Sequence, residues 1–303
     1  MKTKALVDVE LVTEGLAFPE GPVVMPDGSV IVTEIMSGHL VRVDADGTKL
    51  VVADTGGGPN GAAIGPDGAL YVCNNGGIGS GPRGTPGIQR VDVNTGVATY
   101  LYTESGGRTL VAPNDLVFDT SGGFYFSDLR GDAIHYAAID GSSVRPVLTR
   151  IPRPNGVGLS PAGDVLYWAQ TESRQVMRRR ITGPGTVLAS AGCSVNAVFG
   201  GGTPDRWTLV VGMPGCQEFD SLAVDSGGSV CVGTLIDGGI TEVAPEGGLD
   251  GVTRWELPGP LYDAMVTNIA FGGPDMTTAY LTCSANGRLV RCTWHRPGLR
   301  LSF

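Results

Sequence analysis

Apolar positions along this chain come in short runs, each closed by a turn signal. The runs at 30–33, 40–43, 70–73, 124–127, 230–232 and 279–282 are rich in β-branched and aromatic residues. Between them stand Pro26-Asp27-Gly28, Asp46-Gly47, Pro66-Asp67-Gly68, Asn94-Thr95-Gly96, Ser121-Gly122-Gly123 and Asp140-Gly141. Gly or Pro interrupts almost every window long enough for a helix. The longest stretch free of both, 164–182, divides into strands at 166–171 and 175–181 around a polar turn. Many short strands with regular turns predict an all-β sandwich, barrel or propeller.

An internal repeat selects among these. One unit reads Pro-Glu/Asn-Gly, a short apolar strand, Pro-Asp-Gly, a second strand, and a third strand ending in Val-Asp. It starts at Pro19-Glu20-Gly21 and again at Pro59-Asn60-Gly61. Looser copies start at Pro113-Asn114-Asp115, Pro154-Asn155-Gly156, Phe219-Asp220-Ser221 and Thr267-Asn268-Ile269. The polar position of each unit falls at 20, 60, 114, 155, 220 and 268, spaced by 40, 54, 41, 65 and 48 residues. Units of this length match four-stranded blades, and six of them fill residues 1–303 as a single domain. The expected fold is a six-bladed β-propeller of antiparallel blades around a central channel. Residues 7–13 precede the first unit and are placed to supply the outer strand of the last blade, closing the ring.

Composition narrows the partners. The chain carries 21 basic and 30 acidic residues, a net charge of −9. That balance repels nucleic acid and anionic membranes. No run of 18 apolar residues is present, so no membrane span is expected. Asp8 and Glu10 break the N-terminal apolar stretch, which does not read as a secretory signal, and a cytoplasmic location is the expectation. The six cysteines, at 73, 193, 216, 231, 283 and 292, form no Cys-x-x-Cys pair and are expected as buried free thiols.

The candidate chemistry lies in the repeat itself. The first strand of each blade lines a propeller's channel, so Glu20, Asn60, Asn114, Asn155, Asp220 and Asn268 should form a ring of side-chain oxygens at one end. A single Asn or Asp at a strand start is commonly a turn cap. Six at one point of six units, two of them charged and none matched by Lys or Arg, call for a cation. Carboxylate and amide oxygens without His or Cys form a hard donor set, suited to Ca²⁺, Mg²⁺ or Mn²⁺ rather than zinc. His39, His135 and His295 are scattered and read as surface or packing residues.

Phe18-Pro19-Glu20-Gly21-Pro22, Pro113-Asn114-Asp115-Leu116, Pro154-Asn155-Gly156-Val157, residues 220–225 and residues 267–273 together resemble the senescence marker protein-30/gluconolactonase/luciferin-regenerating-enzyme-like family. The resemblance covers essentially the whole chain. It implies a six-bladed propeller with one divalent cation in the tunnel, usually Ca²⁺, with Zn²⁺, Mn²⁺ or Mg²⁺ also used. Carried over by position, Glu20, Asn155 and Asp220 are expected as metal ligands, and Asn114 as a fourth ligand or a substrate contact. Asn60 and Asn268 complete the expected substrate-binding set. Asp220 is expected as the catalytic carboxylate, either general base or nucleophile. The implied reaction is hydrolysis of a small lactone. Organophosphate hydrolysis, a biosynthetic step on a hydrophobic substrate, and a non-catalytic binding propeller with a structural metal are the alternatives. Sugar lactonases of this type commonly carry an Arg two residues before the first Asn; Ala112 stands there, which leaves room for a less polar substrate.

Other signals read as structure. Residues 79–84 fit Gly-x-Gly-x-x-Gly, but no helix is expected after them, so they form a long loop of blade 2. No Gly-x-Ser-x-Gly elbow supports a Ser-His-Asp triad. Arg178, Arg179 and Arg180 are expected on a solvated blade edge. Glu34 and Asp128, at the ends of second strands, are expected to satisfy backbone groups between blades.

Overall fold

A computed structural model describes residues 1–188 and 209–301. Each repeat forms one antiparallel sheet, and six sheets close into a ring. Blade 1 holds strands Pro19–Val24, Val30–Glu34, His39–Val43 and Lys49–Asp54. Blade 2 holds Pro59–Ile64, Leu70–Asn74, Gly87–Asp92 and Val97–Tyr102. Blade 3 holds Pro113–Phe118, Phe124–Asp128, Ala133–Ala137 and Val144–Thr149. Blade 4 runs Pro154–Leu159, Val165–Gln170 and Gln175–Gly183, with Leu209–Gly212 and Thr186–Val187 both paired to its third strand. Blade 5 runs Glu218–Val224, Val230–Leu235, Ile240–Val243 and Val252–Glu256. Blade 6 runs Val266–Gly272, Thr278–Cys283 and Arg288–Thr293.

The N-terminal strand Val7–Glu14 pairs antiparallel with Arg288–Thr293 and completes blade 6, as the sequence predicts. Chain start and chain end therefore share one sheet, which leaves no open edge between them. The strand before it is an addition that the repeat does not foreshadow. Lys2–Ala5 pairs in parallel with Val252–Glu256, so blade 5 has five strands. Lys4 lies 4.9 Å above the Trp255 ring and holds this strand down.

The core sits between blades. Tyr71 of blade 2 meets Phe118 and Phe124 of blade 3 at centroid separations of 5.1 and 5.6 Å, all within one buried cluster. Trp255 and Trp294 join blades 5 and 6 in the same way, 5.3 Å apart. Each first strand packs against the first strands of both neighbours, the sixth against the first. Hydroxyl groups reinforce this ring. Thr33 Oγ1 donates to the Asn60 carbonyl at 2.6 Å, Ser127 Oγ to the Asn155 carbonyl at 2.6 Å, and Ser284 Oγ to the Pro19 carbonyl at 2.6 Å. Each bond ties a strand of one blade to the site-bearing strand of the next.

Two expectations need correction. Arg179 is buried rather than on a solvated edge, and Arg178 Nη1 donates to the Pro245 carbonyl at 2.7 Å. The reason is topological: their strand is interior, flanked by Val165–Gln170 on one side and by Leu209–Gly212 and Thr186–Val187 on the other. Cys73, Cys231, Cys283 and Cys292 are buried free thiols as expected, but Cys216 is exposed; Cys193 lies outside the described residues. Among the described residues, no helix is long and apolar enough to cross a membrane.

Candidate functional site

All six first strands break register at or beside the polar position of the repeat. The ladders skip between Glu20 and Val23, Pro59 and Ala62, Pro113 and Leu116, Pro154 and Val157, Phe219 and Leu222, and Val266 and Asn268. A bulge re-aims the side chain it carries. In blades 2 to 5 the skipped residues include Asn60, Asn114, Asn155 and Asp220; in blades 1 and 6 the skip lies beside Glu20 and Asn268, which stay paired with Thr33 and Thr282. All six are buried, between 2 and 8% exposed.

Glycine makes the convergence possible. A Cβ on Gly21 would lie 2.3 Å from the Asn60 carbonyl oxygen, and one on Gly61 2.6 Å from that of Asn114. A Cβ on Gly156 would lie 2.4 Å from the Leu222 nitrogen. Adjacent first strands thus touch backbone to backbone just after the polar residue. Gly21 also has φ +42°, a left-handed conformation that side chains disfavour.

The donor set is rich in unsatisfied oxygen. Asn60 Oδ1, Asn114 Oδ1 and Asn155 Oδ1 are buried and have no hydrogen-bond donor. Asn155 Nδ2 is anchored on Thr171 Oγ1 at 3.1 Å. Glu20 Oε2 accepts from Gly21 N at 3.1 Å and from Asn268 Nδ2 at 3.3 Å. Burial pushes the Glu20 carboxyl up to about 7. Burial, with Glu20 nearby, pushes Asp220 well above the usual carboxylate range. Buried amide oxygens without donors normally cost stability. Amide oxygens of this kind, together with two buried carboxylates, form a donor set that fits a hard divalent cation. Among the described residues no three His, Cys, Asp or Glu side chains gather as a metal cage, so the amide oxygens are indispensable to such a set.

Asp115 belongs to this site and the sequence reading does not single it out. It occupies the position that is Gly21, Gly61 or Gly156 in other blades. Its Oδ1 accepts from Leu116 N at 2.9 Å and its Oδ2 from Val157 N at 3.1 Å. Burial, with Asp220 as a like charge, pushes it up to about 7. The available signal was an acidic residue where the first, second and fourth repeats have glycine. The second-strand carboxylates behave as expected of structural groups. Glu34 accepts from Ala17 N and Ser37 Oγ, and Asp128 accepts from Val111 N, Ala112 N and Gly131 N.

Asp115 and Asn268 line a channel cavity of about 890 Å³, which Glu20, Asn60, Asn114, Asn155 and Asp220 do not line. Its walls are apolar, built from Val23, Ile64, Leu116, Phe118, Leu159 and Phe271. The C-terminal segment crosses its far end. Leu299 N donates to the Val224 carbonyl at 3.1 Å, and Leu299 and Leu301 complete the lining.

Residues 18–285 match the family described as SMP-30/Gluconolactonase/LRE-like region. The chain belongs to this family. Lactonase drp35 of Staphylococcus haemolyticus (strain JCSC1435) is 30% identical over 196 residues, 62% of this chain. The match spans 58% of that relative's length. Among solved structures, a gluconolactonase from Xanthomonas campestris superposes with TM-score 0.73 at 19% identity, over 95% of this chain and 91% of that one. A calcium-binding regucalcin from Agrobacterium tumefaciens superposes with TM-score 0.73 at 19% identity, over 99 and 100%. These likenesses carry the six-bladed propeller fold.

Proposed function

We propose that this protein is a metal-dependent hydrolase of small lactones, and that residues 1–303 act as one propeller domain. The observation that carries the reading is the buried ring of donor-free amide oxygens and raised carboxylates. Family membership and the lactonase relatives agree with it. Glu20, Asn155 and Asp220 would hold the cation, with Asn114 as a fourth ligand or a contact to substrate. A divalent cation in this set, Ca²⁺ before Zn²⁺, Mn²⁺ or Mg²⁺, supplies polarisation of the ester carbonyl and charge against the developing oxyanion.

The chain's own residues do the rest. Asp220 is a buried carboxylate of the ring. It would take a proton from the attacking water as general base, or attack the ester carbonyl as nucleophile. Asn60 and Asn268 would orient the ester through their amides. In this reading a lactone bearing an apolar substituent is preferred over a sugar lactone. Ala112 agrees with this, contributing a buried methyl group where a substrate-binding Arg would otherwise stand.

The test is hydrolysis of a panel of γ- and δ-lactones, polar and apolar, after chelation and after restoring Ca²⁺, Mn²⁺, Mg²⁺ or Zn²⁺. Turnover restored by a cation and rising with an apolar substituent is expected. Asp220→Asn should keep the fold and abolish turnover. No hydrolysis with any cation, or full activity in Asp220→Asn, would refute the reading.

A further inference from the structure

A second cavity, of about 860 Å³, lies on blade 3, away from the channel cavity. It is bounded by the hairpin Glu104–Ser105 with Arg108–Thr109, the turn at 130–132, and the end of the strand Val144–Thr149. Three guanidinium groups line it, those of Arg108, Arg130 and Arg150. All three residues are exposed, and none of their side chains makes a hydrogen bond or ion pair among the described residues. Two carboxylates share the lining. Asp128 is already occupied by three backbone N–H groups, and Asp132 Oδ1 accepts from Arg153 N at 3.1 Å. The lining thus carries three positive charges against two negative, on a chain of net charge −9.

The cavity also holds an unspent donor. His135 is 94% buried by its 6% exposure, stacked on Phe126 at 4.9 Å, and its Nδ1 lies 2.9 Å from Ser105 Oγ. Its Nε2 has no partner. In the tautomer that a bound phosphoryl oxygen would select, the Ser105 hydroxyl donates to Nδ1 and the hydrogen sits on Nε2. Burial pushes the imidazole down to about 4, so near neutral pH this is an uncharged N–H donor. An unsatisfied buried donor is costly unless a ligand uses it.

We propose that this cavity binds a small phosphate monoester, its phosphoryl group held by Arg108, Arg130, Arg150 and His135. Unpaired guanidinium forks match phosphoryl oxygens in charge and geometry. The cavity of about 860 Å³ leaves room for an organic group beside the phosphate.

The experiment is calorimetric titration of the chelated, metal-free protein with phenyl phosphate, inorganic phosphate and benzoate at low ionic strength. One site is expected for phenyl phosphate, with inorganic phosphate weaker and benzoate weaker still. Arg108→Gln combined with Arg130→Gln should weaken phenyl phosphate at least about tenfold. Lactone turnover should be unchanged in that variant. Binding should also shift the His135 imidazole resonances, which His135→Gln identifies by their loss. Absence of binding, equal affinity in the double variant, preference for benzoate, or binding that requires added cation would each overturn the proposal.

Discussion

Gly61→Ala tests whether the channel ring depends on backbone contact between blades. The new Cβ would lie 2.6 Å from the Asn114 carbonyl oxygen and 2.7 Å from the Asp115 Cα. Real Cβ atoms essentially never come within 3.0 Å of a neighbour, so these backbone atoms must retreat by several tenths of an ångström. No flexible side chain can absorb the shift alone, because both are main-chain atoms. Overpacking of this kind costs roughly 1–3 kcal/mol, and a rigid neighbour places it at the upper end, about 3 kcal/mol. Gly68→Ala is the control. It has φ +75° and open space around it, so it carries only left-handed strain, about 1–2 kcal/mol. For a chain of this size each kcal/mol moves Tm by about 2–4 °C. Thermal unfolding should therefore fall by roughly 6–12 °C for Gly61→Ala and by about 2–8 °C for Gly68→Ala. Because Asn114 and Asp115 are the residues displaced, cation affinity should fall in Gly61→Ala and stay unchanged in Gly68→Ala. Equal melting shifts together with unchanged cation affinity would refute the idea that glycine sets the spacing of the ring.

Ser127→Ala removes the hydroxyl that donates to the Asn155 carbonyl and accepts from Asp115 N. Two buried backbone groups lose a partner, so urea unfolding should show a loss of about 2–4 kcal/mol, and Ser127→Thr should recover most of it. Glu20→Gln removes one of the two carboxylates in the proposed ligand set; calorimetry should show cation affinity at least about tenfold lower, and an unchanged affinity would remove Glu20 from that set. His135 titrates near 6.5 when unfolded but is pushed down to about 4 in the fold. Between those values the unfolded chain binds the extra proton, so stability should rise with pH across about 4–6.5, by up to about 3 kcal/mol. His135→Gln should flatten that slope, as read from denaturant midpoints across the window.

The blades were legible because their cause is local. Alternating apolar runs and Pro-Asp-Gly turns act within a few residues, and six repetitions of one unit left little freedom in how they assemble. The closure by Val7–Glu14 was legible for the same reason, since the sixth unit lacked its outer strand. Lys2–Ala5 was not, because a fifth parallel strand answers to the exposed edge of blade 5 and to Trp255, both distant in sequence. The buried Arg179 was misplaced on similar grounds: a run of charges looks like an edge until the strands on both sides of it are known.

The site was legible in part. Six polar positions could be aligned, but a bulge is a mismatch between two strands and has no composition of its own. Its trace is the residue after the polar one, which must be small where neighbouring backbones meet. Gly21, Gly61 and Gly156 obey that constraint. Asp115 violates it, and can do so because its carboxylate turns into the gap and binds Leu116 N and Val157 N. The same substitution that spoils the repeat therefore inserts a third carboxylate beside Asp220. Ser221 and Ile269 also stand where other blades have glycine, but only Asp115 brings a further charge to the site.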